Sequence, residues 1–150
     1  MGLSPLQLLN YFFEEVSVKA NPDYNENIDG VLKGFNVTFE SGENKNDPLL
    51  RRFILKIEQK RKPELPYELK IGMIGIFRID EGFAARKKPE ELEVLLNTNC
   101  PSMLYSAARE TILTLTGRCP HQPYLLPSIS FANFQADNKR KSPPRPKPKE

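Results

Sequence analysis

The first half of the chain alternates apolar and polar residues, and this two-residue period limits the fold more than any other feature. Period two places successive side chains on opposite faces of a strand, so it predicts half-buried strands rather than helices. The polar links at 41–48 and 62–66 are typical of hairpin turns, whereas the link at 21–33 is longer and carries apolar residues. The four predicted strands are 12–20, 35–40, 53–58 and 67–79.

The second half changes to a helical period. Pro89 followed by two glutamates predicts the start of a short helix that ends near Asn97. Apolar residues then recur at three- and four-residue spacing between Pro101 and Gly117, which predicts a second helix. Strands followed by helices indicate the α+β class: a four-stranded antiparallel sheet with helices packed on one face.

Length and charge indicate one domain followed by a basic tail. The chain has 150 residues, of which 39% are hydrophobic. Residues 139–150 hold six of the 22 lysines and arginines and one of the 19 acidic residues, so residues 1–138 carry 16 against 18. We predict a single domain at 1–138 and a disordered tail at 139–150. Because no long apolar run or leader pattern is present, we expect a cytoplasmic protein without an integral membrane segment.

Both cysteines and the only histidine lie between Asn99 and His121. Cys100 and Cys119 are predicted at opposite ends of the second helix, roughly 24 Å apart, which excludes a disulfide between them. A structural zinc site needs about four ligands, and here only Cys119 and His121 are neighbours. No nucleophile with an adjacent base and no glycine-rich phosphate loop is apparent. We therefore expect no metal, no cofactor and no enzymatic activity.

Three segments together resemble the SecB family of export chaperones: GIFRID at 75–80, NCPSMLYSAARETILTLTGRCP at 99–120 and YLLPSISFANF at 124–134. The resemblance implies a SecB-like sheet with helices on one side, assembled as a homotetramer that is a dimer of dimers. It also implies an ATP-independent holdase for unfolded or nascent polypeptides, acting in protein export. The matching residues are Gly75, Ile76, Phe77, Cys100, Pro101, Leu104, Ala108, Arg109, Glu110, Pro127, Phe131 and Phe134.

The resemblance also implies three sets of site residues. A client-binding groove is expected at Tyr24, Ile28, Val31, Phe131 and Phe134. An oligomer interface is expected at Leu69, Ile71 and Met73, and the helical small-residue patch at Ala107 and Ala108 favours close approach of another helix. The face that docks the translocase motor SecA corresponds to Glu15, Lys19, Glu68 and Lys70.

The docking positions depart from the family pattern. Lys19 and Lys70 stand where the family has acids, and Glu68 stands at an apolar position. Because the motor presents a basic surface there, these changes disfavour SecA as a partner. They favour a dedicated chaperone for one client, such as the antitoxin of a toxin–antitoxin pair. A nucleic-acid-associated protein that uses the basic tail is the alternative from another class, and the mixed charges of the predicted strands argue against specific nucleic-acid binding.

Overall fold

A computed structural model describes residues 1–27 and 34–132 of the chain. Ile28, Val31, Phe134 and the predicted tail at 139–150 lie outside the described residues. The elements are β1 (Leu6–Ala20), β2 (Phe35–Asn44), β3 (Asp47–Gln59), β4 (Tyr67–Ile79), α1 (Glu81–Ala85) and α2 (Pro89–Thr116).

The four strands form one antiparallel sheet in the order β1-β4-β3-β2. β4 is central, because it pairs with β1 on one side and with β3 on the other. The sheet, its four strands and its antiparallel pairing confirm the predicted architecture. β1 is longer than predicted because two register shifts, between Leu8 and Asn10 and between Phe13 and Glu15, interrupt the period-two pattern on which strand prediction depends.

The sheet has an inner face, which α2 covers, and an outer face. Alternate residues of β3 and β4 point to the inner face and are almost completely buried, which builds a continuous apolar core with α2. After α2, Leu126 and Phe131 fold back and add to the same core. The buried inner-face residues are Val37, Phe53, Leu55, Ile57, Leu69, Ile71, Met73, Phe77 and Ile79, and those of α2 are Leu96, Cys100, Leu104, Tyr105, Ala108 and Ile112.

The prediction of two helices separated at Pro101 is wrong, because α2 is one helix of 28 residues with Pro101 inside it. Proline in a helix interior removes one hydrogen bond and costs about 3 kcal/mol. Burial of Leu96 and Cys100 before the proline and of Leu104 after it offsets this cost, since most helix stability in proteins comes from tertiary packing. Cys100 is thus buried in mid-helix rather than placed at a helix end.

Leu104 of α2 packs over Gly75 of β4. A Cβ atom placed on Gly75 would lie 2.6 Å from Leu104 Cδ2 and 2.8 Å from Phe77 Cε2. Leu104 and Phe77 are both fully buried, so neither side chain has space into which it can move. Glycine at this position therefore allows α2 to lie directly on β4.

We predict that Gly75→Ala destabilises the chain by about 1–3 kcal/mol through overpacking of the core. Gly72→Ala on the same strand is the matched control, because its Cβ would meet only Glu15 Cβ at 4.0 Å. Urea unfolding monitored by circular dichroism gives both free energies of unfolding. Equal midpoints for the two variants would show that the Leu104 contact does not limit the packing of α2.

Candidate functional site

Asn21 anchors the start of the connection between β1 and β2. It is 2% exposed, and its Nδ2 donates to the backbone oxygens of Lys62, at 2.8 Å, and Leu65, at 3.1 Å. Its Oδ1 accepts from the backbone N–H of Asp23 at 3.0 Å and from Arg61 Nε at 3.1 Å. These bonds satisfy the buried amide and fix the connection against the β3–β4 hairpin.

His121 fixes the other side of this junction. Its Nε2 lies 2.6 Å from the backbone oxygen of Asn21, which can only accept, so the Nε2 nitrogen carries the proton. The His121 backbone N–H donates to Tyr67 Oη at 3.1 Å, and Tyr67 Oη donates to the Gln122 carbonyl at 2.8 Å. The ring of Tyr24 packs edge-on against His121, with centroids 5.1 Å apart. The histidine therefore joins three segments of backbone, and the neighbouring cysteine plays no part in these bonds.

Tyr24 lines an open depression at this junction together with Pro120, His121 and Gln122. Its volume is about 580 Å³. The other described groove residue, Phe131, is 1% exposed and packs against Phe39 and Tyr105. The structure thus places Tyr24 on an accessible surface and Phe131 in the core, so the two predicted groove residues have different surroundings.

The tyrosine hydroxyls next to this junction serve as neutral hydrogen-bond donors. Burial raises the pKa of Tyr67 and of Tyr124, and it raises the pKa of Tyr105 to about 12. Tyr124 Oη donates to Gln59 Oε1 at 2.9 Å, and Tyr105 Oη donates to the Pro127 carbonyl. These hydroxyls stay protonated at neutral pH. They therefore hold the neighbouring segments in place as hydrogen-bond donors and do not act as nucleophiles.

Most of the predicted interface residues are buried in the core of a single chain. Leu69, Ile71 and Met73 are at most 1% exposed beneath α2. Ala108 is also fully buried, and Ala107 is partly buried against the core. A substitution at Ile71 therefore disturbs the core of one chain and cannot by itself report on an interface.

Other apolar side chains are accessible on the same side of the molecule. Tyr11 and Val16 share the inner face of β1 and are 43% and 37% exposed. Val94, Leu95 and Leu115 are exposed on α2. The alternation of β1 includes Val16, but it does not reveal that α2 leaves this strand partly uncovered.

The four docking positions lie together on the outer face. Lys19 pairs with Glu68 across β1 and β4, and Lys70 Nζ is 3.7 Å from Glu15 Oε2. All four side chains are therefore close neighbours, and two are cations and two are anions. This part of the outer face has no net charge with which to attract a basic partner.

The cysteines have unlike surroundings. Cys100 is fully buried, and burial raises its pKa to about 12. Cys119 is half-buried and its Sγ donates to the Leu115 carbonyl at 3.5 Å. Within residues 1–27 and 34–132, no three histidine, cysteine or acidic side chains are grouped so that they could hold a metal ion.

We predict that a thiol reagent at mildly alkaline pH labels one cysteine per folded chain. The thiolate is the reacting form. Burial keeps the Cys100 thiol protonated, because it raises the pKa, and also keeps the reagent from reaching it. Cys119→Ser should abolish rapid labelling, and the matched Cys100→Ala variant should retain it. Unfolding in urea should expose the second thiol. Two rapidly labelled thiols in the folded wild-type chain would contradict the buried position of Cys100.

The chain matches the sequence model of a family described as preprotein translocase subunit SecB over residues 34–142. It is 32% identical over 76 residues to a protein-export protein SecB of Dechloromonas aromatica, covering 50% of this chain and 46% of the relative. A protein-export protein SecB of Methylobacillus flagellatus is 30% identical over 73 residues, covering 48% and 43%. The chain therefore spans about half the length of the curated relatives it matches.

A solved structure has a similar fold. It is a Mycobacterium tuberculosis SecB-like chaperone in complex with a ChAD peptide from the HigA1 antitoxin, and it aligns with a TM-score of 0.54 at 16% identity. The alignment covers 84% of this chain and 91% of that chain. Among the described residues, neither helix combines the length and the apolar character needed to cross a membrane.

Proposed function

The chain belongs to the SecB family, and from this premise we propose that it is an ATP-independent chaperone that binds unfolded or nascent polypeptides. The observation that carries the proposal is the open depression beside the Asn21–His121 junction, which has a volume of about 580 Å³. Its lining combines the ring of Tyr24 with polar side chains and backbone groups. A concave surface of this composition can hold an extended polypeptide segment through both side-chain and backbone contacts.

The proposed activity requires no enzyme chemistry, because binding an apolar segment only has to compete with its aggregation. Backbone groups held by Asn21 and His121 keep Tyr24 in place before a client arrives. A preorganised surface loses less conformational entropy on binding than a mobile one. The groove positions Ile28, Val31 and Phe134 are part of the same proposal, whereas Phe131, which is buried in the core, supports the groove from within rather than contacting a client.

We propose that residues 1–138 act as the chaperone domain of a cytoplasmic protein and that 139–150 form a basic tail. Its clients are non-native polypeptides, including precursors for export. A dedicated role for one client, such as an antitoxin, is the second candidate. The balanced charges of Glu15, Lys19, Glu68 and Lys70 favour that candidate, because they remove the attraction that a basic motor protein needs.

The proposed assembly is a homotetramer built as a dimer of dimers. In the sheet that the described residues form, β1 is an edge strand, and the unpaired backbone groups of such an edge readily pair with another chain. Tyr11 and Val16 offer apolar surface at this edge, and Leu95 and Leu115 do so on α2. A dimer of dimers has two kinds of interface, one within each dimer and one between the dimers, and the two apolar surfaces can supply one each.

We predict that the purified chain suppresses the light scattering of an unfolded precursor protein diluted from denaturant. Tyr24→Ser should require several-fold more chain for the same suppression, because it removes an apolar contact at the depression. Lys45→Ala, at an exposed position in the turn between β2 and β3 and outside the depression, is the control and should behave as wild type. Normal aggregation in the presence of folded wild-type chain would contradict the general holdase and leave the single-client candidate.

The assembly gives a second prediction. Native mass measured by light scattering after gel filtration should correspond to four chains, and Val16→Lys should reduce it because a lysine at the inner side of β1 opposes pairing. Ser17→Lys, on the outer face of the same strand, is the matched control. An unchanged mass for a folded Val16→Lys variant would show that β1 is not an interface.

A further inference from the structure

The outer face of the sheet carries an apolar patch at its centre. Phe12 of β1 pairs with Ile74 of β4, and Ile74 pairs with Ile54 of β3, so the three side chains form one row across the sheet. On the same face, Ile76 lies two residues after Ile74 on β4, and Leu50 lies four residues before Ile54 on β3. We refer to Phe12, Leu50, Ile54, Ile74 and Ile76 as the outer patch.

The outer patch is unusual for a sheet that has a covered face and an open one. Such sheets normally direct polar side chains to solvent, yet β4 is apolar on both faces between Met73 and Phe77. Phe12 is 47% exposed, and α2 and the segment after it lie on the inner face. Ile74 is 9% exposed and Leu50, Ile54 and Ile76 are half-buried, so Phe12 supplies most of the accessible apolar area of the patch. A run that is apolar on both faces of its strand is typical of a strand that is covered on both faces.

A depression with one free cation adjoins the patch. It has a volume of about 340 Å³, and its lining includes Gly42, Leu50, Arg52 and Ile76. Arg52 pairs with both Ile76 and Gly42 across the sheet. Its Nε and Nη2 lie 3.9 Å from the position that a Cβ of Gly42 would occupy, so the guanidinium extends over the space that the missing side chain leaves.

The nearby arginines differ from Arg52 in having partners. Arg51 contacts Glu43 at 2.8 Å and Glu93 at 2.7 Å, and Arg78 contacts Asp47 at 3.1 Å. The Arg52 side chain makes no hydrogen bond or ion pair with any residue in 1–27 or 34–132. A guanidinium is the side chain best suited to pair with a carboxylate, through two parallel hydrogen bonds.

The patch does not overlap the positions that correspond to motor docking. Glu68 and Lys70 lie near the start of β4, and Ile74 and Ile76 lie beyond Gly72 on the same strand. Tyr24 and Phe131 of the proposed client groove take no part in the patch. A partner on the patch therefore represents a function beyond the proposed holdase activity.

We propose that the outer patch docks an acidic, apolar polypeptide segment of a partner protein, whose carboxylate pairs with Arg52. The apolar side chains of that segment cover Phe12, Ile54 and Ile76. Covering the patch with a neutral segment would desolvate Arg52 without a counter-charge, and a basic segment would be repelled. Exposed Glu40 pairs with Ile54 across β2 and β3, so the preference for an acidic partner comes from Arg52 at the depression and not from the net charge of the patch.

Two fluorescein-labelled peptides of equal length test the proposal. They share the same leucine and phenylalanine positions and carry either aspartate or lysine between them. Fluorescence anisotropy with the full chain should give a Kd for the acidic peptide about tenfold below that for the basic one, which corresponds to about 1.4 kcal/mol. Arg52→Glu should reverse this preference, and Lys56→Glu, beside Gly72 on the same face, should leave it unchanged.

A second variant removes the space rather than the charge. Gly42→Leu should fill the depression and weaken the acidic peptide several-fold, and an unchanged urea midpoint will show that the chain remains folded. Aggregation suppression by Arg52→Glu should equal that of wild type, which separates this site from the proposed client groove.

Three results would overturn the proposal. The first is equal affinity of the two peptides with no response to Arg52→Glu. The second is loss of acidic-peptide binding in Tyr24→Ser with full binding in Arg52→Glu, which would assign the peptide to the client groove. The third is a drop in native mass on Ile54→Ser, which would assign the patch to a second copy of the chain.

Discussion

The contact of Leu104 with Gly75 is the constraint on which the remaining structure depends. It sets the distance between α2 and β4, which lies between β1 and β3. Leu104 and Phe77, the two side chains next to Gly75, are both fully buried. Burying a leucine contributes about 1.5–3 kcal/mol relative to leaving it exposed. That gain, repeated along the helix, offsets the hydrogen bond lost at Pro101 and keeps α2 continuous. If the helix could not lie this close, the inner face would lose its cover along the whole of β4.

The candidate groove depends on the same helix through the segment that follows it. Arg109 Nε donates to the Leu126 carbonyl at 3.0 Å, and Thr116 Oγ1 accepts from the Tyr124 N–H at 2.8 Å. These bonds fold the segment back along α2, which brings His121 to the Asn21 carbonyl. The position of Tyr24 therefore follows from helix packing, although Tyr24 itself lies in a connection between strands. A change in the core is expected to reach the candidate groove through this chain of bonds.

The sequence predicts the sheet because period two is a direct consequence of strand geometry, and β4 has the predicted bounds of Tyr67 and Ile79. The prediction fails at two places. Bulges interrupt the alternation in the first half of β1, and tertiary packing keeps Pro101 inside a helix that the sequence pattern would end there. For the site, alternation puts Glu15 on the polar face of β1 and Lys70 on that of β4, and sheet pairing brings these two faces together, with Lys70 Nζ 3.7 Å from Glu15 Oε2. It cannot tell which apolar face another chain covers, which is why Ile71 suggests an interface although it is buried in the core of one chain. The outer patch had a signal, the run from Met73 to Phe77, which is apolar on both faces of its strand.

The outer face combines two regions with different electrostatic character. Around Lys70 and Glu15, cations and anions neutralise one another, so the region neither attracts nor orients a charged partner at long range. Around Arg52, an unpaired cation adjoins apolar side chains, and such a site discriminates because any partner that covers it must supply an anion. Selection on this face therefore comes from the cost of leaving Arg52 unpaired rather than from overall attraction. Discrimination of that kind depends little on net charge, so it operates equally well on a chain whose domain is mildly acidic and whose end is basic.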